Sequence, residues 1–410
     1  MMERSNLESF SCNFCGPAKA ASIGSPFCPV CRAPLLAGPA RTKRAFRWDR
    51  PIPIDVFRDY LPLAKIDPTL TLGEGDTPLI ELGRIASRCA IPGTLWAKNE
   101  AANPTGSFKD RGSVVAVHKA VELGFKTIGT ISTGNMAGST AAYAAKAGLR
   151  SVIFVKEDTG LDKIRAAGIY GPLIVKVRGD YGALFQKSFE IGRKRKIYFM
   201  NSVDPYRIEG YKVTGYEIFD QRDGRGPDCV FVPVSAGGHL IGLMRAFEDL
   251  RAAGYLEKTP RFVGVQAKGC APIARAFALG KTEIKRFPNP QTIAHAISNP
   301  KPPGGNLVLR LIAQNGGMME SVSDDEIVRA QRLLAEYEGI FCDPASATVL
   351  AAVFRLARRK EFSSRDRLVL VITGSGLKTL EDLDLAEFDV HEAGIDDLES
   401  VLPDRLSVRK

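Results

Sequence analysis

The chain has 410 residues, 45% hydrophobic and 25% charged, with a formal net charge of +10 from 56 Lys and Arg against 46 Asp and Glu. These proportions fit a folded chain and exclude collagen, a coiled coil or a disordered polymer. At roughly 100–200 residues per domain, the length predicts two or three domains. No stretch reaches the roughly 18 apolar residues of a membrane span, and the opening MMERSNLESFSCNFC lacks an apolar signal core. A cytoplasmic protein with no membrane partner is expected.

Four of the eight cysteines fall within the first 31 residues, as Cys12 and Cys15, then Cys28 and Cys31. Each C-x2-C pair can turn two sulfurs toward one ion. Four thiolates close a tetrahedral zinc site with no position left for water, so Zn2+ here is structural. Residues 1–45 therefore read as a zinc-ribbon-like segment. Two disulfides, which belong to oxidising compartments, and a cluster that has lost its metal are the alternatives. Cys89, Cys229, Cys270 and Cys342 read as ordinary thiols. The basic groups RTKRAFRWDR (41–50) and GRKRK (192–196) form no aromatic-interleaved array. They read as solvated surface able to steer a small anion weakly, with no nucleic-acid partner expected.

From about residue 70 onward, short apolar runs alternate with helix-like stretches. Strands are predicted at TIGTIS (127–132), SVIFVK (151–156), LIVKVR (173–178), CVFVPVS (229–235), RFVGVQA (261–267) and LVLVIT (368–373). AGSTAAYAAKAGL (137–149) and SDDEIVRAQRLLAEYEG (323–339) read as helices between them. Continuous apolar strands alternating with helices predict an α/β fold with parallel sheets covered on both faces. The Pro-rich pieces 287–291 and 299–306 read as surface loops near an active-site rim.

In such a fold, chemistry gathers in the loops after the carboxyl ends of strands. NPTGSFKDRG (103–112) puts Lys109 just after a Pro-Thr-Gly turn at a helix start, with Asp110 and Arg111 placed to cap or pair there. A desolvated lysine can form a Schiff base with a carbonyl, whereas a solvated one is only surface charge. STGNMAGS (132–139) offers Ser132, Thr133 and Asn135 at a helix N-terminus, suited to hold a carboxylate or phenolate-like oxygen, or simply to cap the helix. SAGGH (235–239) follows a strand and opens a helix, so its small residues would let backbone N–H groups approach a phosphate. ITGSGLK (372–378) ends the last long strand and projects the hydroxyls of Thr373 and Ser375. A phosphate cradle, a reactive lysine, an amide-bearing loop and a hydroxyl are together what pyridoxal 5'-phosphate requires.

NPTGSFKDRG, STGN with AAYAAKAGL, NSVDPYRIEG (201–210), VPVSAGG, EGIFCDPASA (338–347), ITGSGLK and the opening segment LGEGDTPL (72–79) are all present. Over roughly residues 70–385, in collinear order, the chain resembles the threonine synthases of the fold-type II, tryptophan-synthase-β-like pyridoxal phosphate family. The resemblance implies two parallel-sheet α/β domains behind the ribbon. A catalytic region would span 46–400, with a smaller mobile subdomain at about 115–205 that closes over substrate, and a tail at 401–410. It also implies a homodimer and a small amino-acid substrate, converting O-phospho-L-homoserine and water to L-threonine and phosphate. In this reading Lys109 carries the cofactor and moves the α and β protons, with Phe108 packed beside it. Asn135 bonds the ring oxygen, the backbone amides of Ser235, Ala236, Gly237, Gly238 and His239 hold the cofactor phosphate, and Thr373 faces the ring nitrogen. Ser132, Thr133 and Asn135 take the substrate carboxylate, and Ser202 and Arg207 the substrate phosphate. Arg suits that last task through its bidentate fork.

The chain departs from the family pattern at Met136, where a small hydroxyl residue is common, at Ala236 and His239 in the phosphate turn, and at Thr379 after GLK. These departures keep open a cysteate-synthase-like replacement on O-phosphoserine. A serine or threonine dehydratase of the same fold would need no phosphate grip. A non-catalytic zinc-ribbon binding protein is the reading from a different class.

Overall fold

The structure, a computed structural model, describes residues 10–18, 25–38, 53–132, 134–179, 181–380, 390–396 and 402. Thr133, the basic stretch 41–50 and, apart from Leu402, the tail 401–410 lie outside the described residues. Among the described residues no helix is long and apolar enough to cross a membrane.

Three short strands, β1 (Phe10–Cys12), β2 (Gly16–Pro17) and β3 (Leu35–Ala37), form an antiparallel sheet in the order β2-β1-β3. The others follow as β4 (Leu79–Glu81), β5 (Thr94–Asn99), β6 (Thr127–Ile131), β7 (Arg150–Lys156), β8 (Leu173–Val177), β9 (Tyr198–Phe199), β10 (Cys229–Pro233), β11 (Arg261–Ala267), β12 (Met318–Val322) and β13 (Arg367–Ile372). One sheet has the order β8-β7-β6-β9 and is wholly parallel. The larger has the order β12-β11-β10-β13-β5-β4, parallel except where β4 runs against β5. All five residues of β10 are buried, as are Leu368–Ile372 of β13, as expected of parallel strands covered on both faces.

The six strands expected from apolar runs are present. The same pattern does not reveal β4, β5, β9 and β12. β5 reads TLWAKN and carries Lys98, so it lacks the look of a buried strand, yet Lys98 is 0% exposed. Helix starts follow local chemistry. Asp204 caps Pro205–Asp220 by accepting from the amides of Tyr206 and Arg207, with Pro205 at the first turn. Ser323 and Glu326 form a reciprocal capping box on Asp324–Glu338, which ends at left-handed Gly339. The basic Arg193, Lys194 and Arg195 sit on the last turn of Tyr181–Arg195, where the helix dipole favours cations.

Lys98 belongs to a buried ionic cluster. Its Nζ donates to Glu217 Oε2 at 2.6 Å and to the Thr77 carbonyl at 2.6 Å. Arg111 reaches both Glu100 oxygens at 2.5 and 2.8 Å and both Glu217 oxygens at 2.6 Å. Burial pushes the Glu217 carboxyl up, but Arg111 and Lys98 outweigh it and hold it down at about 2. A depressed carboxylate contributes stability that is present above its unfolded value of 4.5 and is lost as pH falls toward 2. Glu217→Gln should therefore cost about 3–5 kcal/mol in urea unfolding at neutral pH, since it leaves two buried cations short of counter-charge. The difference from wild type should shrink below pH 4.5. A cost under about 1 kcal/mol, the size of an exposed pair, would deny the cluster its structural role.

Candidate active site

Loops following strands of both larger sheets meet: Gly374, after β13, bridges to Ser107, after β5, and lies beside Asn135, after β6. The NPTGSFKDRG turn reaches this meeting point from β5. Asp110 fixes that turn, accepting from the Thr105 amide at 2.7 Å, the Thr105 hydroxyl at 2.6 Å and the Ser139 hydroxyl at 2.6 Å. The Phe108 amide donates to the Thr373 carbonyl at 3.0 Å, tying the turn to the end of β13. Lys109 begins the helix Lys109–Glu122 with its Nζ 3.9 Å from the Phe108 ring centroid. Its amine makes no hydrogen bond or ion pair among the described residues. The side chain keeps some solvent contact, but the surrounding protein desolvates the amine and the Arg207 charge repels its proton. Together they push its pKa down to about 7, against an opposing pull from Asp343.

After β10 the chain turns through Ser235, Ala236 and Gly237 into the helix Gly238–Ala252. Gly237 has φ +100°, and a Cβ there would lie 2.8 Å from Val308 Cγ2. A Cβ on Gly238 would lie 2.5 Å from the Ser202 carbonyl oxygen, so the Ser202 loop closes directly on the turn. The opening amides of the helix have no intrahelical acceptor and, with the dipole, favour an anion. The Gly304 amide donates to the Ala236 carbonyl at 3.0 Å, which places the Pro-rich loop beside this turn. His239 stacks on Phe108 at 3.9 Å and 16°. Among the described residues both its ring nitrogens are buried without a partner, and burial, then the Lys109 and Arg111 charges, hold it neutral.

Asn135 starts the helix Asn135–Lys146, just beyond Ser132 at the end of β6. Its Oδ1 accepts from Lys378 Nζ at 2.9 Å, leaving Nδ2 as a donor. Nδ2 lies 3.3 Å from where a Gly374 Cβ would stand. Thr373 Oγ1 is 2.9 Å from Ser346 Oγ, which donates to Asp343 Oδ1 at 2.6 Å. Asp343 also caps Pro344–Arg358. The motif CDPASA contains Asp343 and Ser346, but sequence reading assigns neither a role; the Asp-Pro start with Ser three residues on is the available signal.

Arg207 sits on the first turn of Pro205–Asp220, with an exposure of 0%. Its donors go to Tyr211 Oη, the Met200 carbonyl and Met136 Sδ. The departure noted at Met136 thus touches the residue expected to grip phosphate. Lys109, Phe108, Asn135, the Ser235–His239 turn, Thr373, Ser202 and Arg207 gather at the strand ends. The four N-terminal cysteines lie apart from them, in the ribbon. Their sulfurs are within 4.8 Å of one another, where one ion could bind.

The family model of the pyridoxal-phosphate dependent enzymes matches residues 70–374. The chain belongs to that family. Within it, the chain is 38% identical over 323 residues to a threonine synthase of Methanocaldococcus jannaschii, covering 78% of this chain and 80% of that one. It is 37% identical to a threonine synthase of Methanosarcina acetivorans (75% and 76% covered) and 34% identical to one of Mycobacterium tuberculosis (79% and 88%). In fold it matches maize serine racemase, with TM-score 0.63 at 22% identity over 76% of this chain and 89% of that one. Threonine deaminase isoform 2 from Solanum lycopersicum gives TM-score 0.62 at 19% identity, with 79% and 81% covered.

The residues fit the family's cofactor. The glycine turn is a cradle that a Cβ would fill, and Lys109 brings an unpaired amine to the same region. In cofactor-free protein, an amine-reactive reagent should modify Lys109 at a rate that rises through about pH 7, because the neutral amine reacts. Peptide mapping across pH would read this. Labelling that waits for the ordinary lysine value of 10.5 would contradict the burial argument.

Proposed function

We propose that this enzyme converts O-phospho-L-homoserine and water to L-threonine and phosphate, as a lyase of the cytoplasm. The curated relatives are threonine synthases. The observation that carries the substrate is Arg207, a buried cation whose charge is felt at Lys109 and whose side-chain partners among the described residues are all uncharged.

Bound at the glycine turn, pyridoxal phosphate supplies the electron sink for charge at the amino acid's α carbon. The amides of Ser235, Ala236, Gly237, Gly238 and His239 would hold its phosphate, Asn135 Nδ2 would be available to its ring oxygen, and Thr373 would serve its ring nitrogen. Lys109, with a pKa of about 7, can both take and return a proton at neutral pH, as transfers at the α and β carbons require. Phe108 packs against its amine, and Asp343, linked to Thr373 through Ser346, offers a nearby counter-charge. Ser132 and Asn135 receive the substrate carboxylate together with Thr133, and Ser202 and Arg207 its phosphate. The subdomain at about 115–205, which contains the four-stranded sheet, closes over the substrate and excludes water until it is needed. In the ribbon, Cys12, Cys15, Cys28 and Cys31 hold structural Zn2+, which the tight cluster of four sulfurs supports.

Phosphate release from the pyridoxal-loaded enzyme tests the reading, with O-phosphohomoserine and O-phosphoserine (with and without sulfite) in parallel. Phosphate plus threonine from O-phosphohomoserine alone is expected. Sulfite-dependent turnover of O-phosphoserine would favour the replacement reaction instead, with Met136 against Arg207 as its specificity element. Lys109→Ala should lose the cofactor's visible absorbance, whereas Arg207→Ala should keep it and raise KM about 10- to 150-fold, the worth of one charged contact. Cys12→Ser should release about one zinc per chain by metal analysis; unchanged metal content would refute the ribbon site.

A further inference from the structure

We propose that Tyr211 is the residue that positions Arg207 and sets selectivity for a phosphorylated ligand, holding the guanidinium with a neutral phenol where a carboxylate would cancel its charge. The inference rests on the assignment of Arg207 to the substrate phosphate and adds the element that keeps that cation available.

Arg207 Nε and Nη2 both donate to Tyr211 Oη, at 3.2 and 2.5 Å. Nη1 donates to the Met200 carbonyl at 3.2 Å and to Met136 Sδ. None of these partners is ionised. Arg111 makes the contrast: it is as deeply buried, but two carboxylates meet it. The acids nearest to Arg207 in sequence are engaged elsewhere. Glu209 pairs with Lys212 and Arg245, and Asp204 spends its oxygens on the amides of Tyr206 and Arg207 and on the Tyr198 hydroxyl. Asp204 feels the Arg207 charge, but among the described residues no carboxylate bonds the guanidinium directly. A buried cation met only by neutral partners is costly until an anion reaches it. A carboxylate in place of the phenol would take the guanidinium fork bidentately and leave little charge for a phosphate.

The phenol is built into the fold. A Cβ on Gly112 would lie 2.7 Å from the Tyr211 ring and 3.0 Å from its oxygen, and one on Gly242 would lie 2.6 Å from its Cβ. Two neighbouring helices thus give up side chains to seat it. Its ring packs on Phe108 at 5.1 Å and His239 at 5.4 Å, which links Arg207 to the lysine turn and to the glycine turn. Burial raises the phenol's pKa and outweighs the pull of Arg207, so the group stays neutral. Among the described residues nothing accepts the phenol's own proton, which leaves it for the same anion.

Tyr211→Phe in the pyridoxal-loaded enzyme removes one oxygen and keeps the ring. KM for O-phosphohomoserine and the inhibition constant of inorganic phosphate should each rise about tenfold, the worth of a charged hydrogen bond. Binding of unphosphorylated homoserine, read from the cofactor's absorbance, should stay within about twofold, since that ligand brings no anion to Arg207. Met136→Leu, which keeps the volume and removes the sulfur, should shift the phosphate constants in the same direction by less. Equal weakening of phosphorylated and unphosphorylated ligands would reduce Tyr211 to a packing residue and overturn the proposal, as would unchanged phosphate constants. If wild type binds inorganic phosphate but releases none from O-phosphohomoserine, the reaction assignment fails while the phosphate constants still decide the role of Tyr211.

Discussion

The structure depends on one buried cation, Arg111, two residues beyond the lysine that defines the site. Its guanidinium joins Glu100 at the end of β5, Glu217 on Pro205–Asp220 and the Thr77 hydroxyl in the opening segment. Lys98 meets Glu217 from the strand side. Two cations and two carboxylates make the cluster neutral, and each is matched by hydrogen bonds. Such a cluster need not add stability over an apolar core. It does fix direction, because a planar fork accepts few geometries. The first turn of Lys109–Glu122 is therefore held by Asp110 and Arg111, the two residues that follow the lysine, and the amine is aimed by its neighbours.

Two buried arginines then divide the labour. Arg111 is saturated by carboxylates and cannot bind anything further. Among the described residues the Arg207 guanidinium hydrogen-bonds only to neutral atoms, and its charge reaches Lys109 and helps to depress the amine's pKa. An anion at Arg207 would offset that repulsion, so occupancy of Arg207 and the protonation of the lysine would be linked in sign: the anion would raise the amine's pKa. In the proposed reaction, substrate binding would therefore change the proton affinity of the lysine assigned to proton transfer. The site needs no moving part for this coupling beyond the charge itself.

What can be read from the sequence follows from range. Apolar runs name the strands that are themselves apolar and buried, as in β10 and Leu368–Ile372 of β13, because burial on two faces leaves a local mark. β5 escapes because the partner of Lys98 lies 119 residues away, on Glu217. The Lys109, Asn135 and glycine-turn segments are legible because each places its chemistry within a few residues of one strand end. Tyr211 is not, since its role depends on Arg207 one helical turn earlier and on gaps at Gly112 and Gly242 in other helices. Asp343 and Ser346 stand out as a motif but acquire meaning only through contact with Thr373.

The ribbon lies outside the site and is nonetheless fastened to both elements that flank it. Phe10, two residues before Cys12, packs edge-on against Tyr206 at 5.8 Å, next to Arg207. Phe27, beside Cys28, packs against Phe185 and Phe189 of Tyr181–Arg195, on the four-stranded sheet's side, at 6.1 and 6.0 Å. Arg245 adds a hydrogen bond to the Ala37 carbonyl at 2.8 Å while it pairs with Glu209. The two anchors belong to different cores, one around Leu36 and Tyr206 and one around Phe27 and Phe189. Four sulfurs within 4.8 Å bring the two cysteine knuckles to one point, so the distance between the anchors is set where the sulfurs meet. A segment whose own buried cluster is as small as Cys12, Cys28 and Leu35 thereby spans two larger cores and borrows order from both.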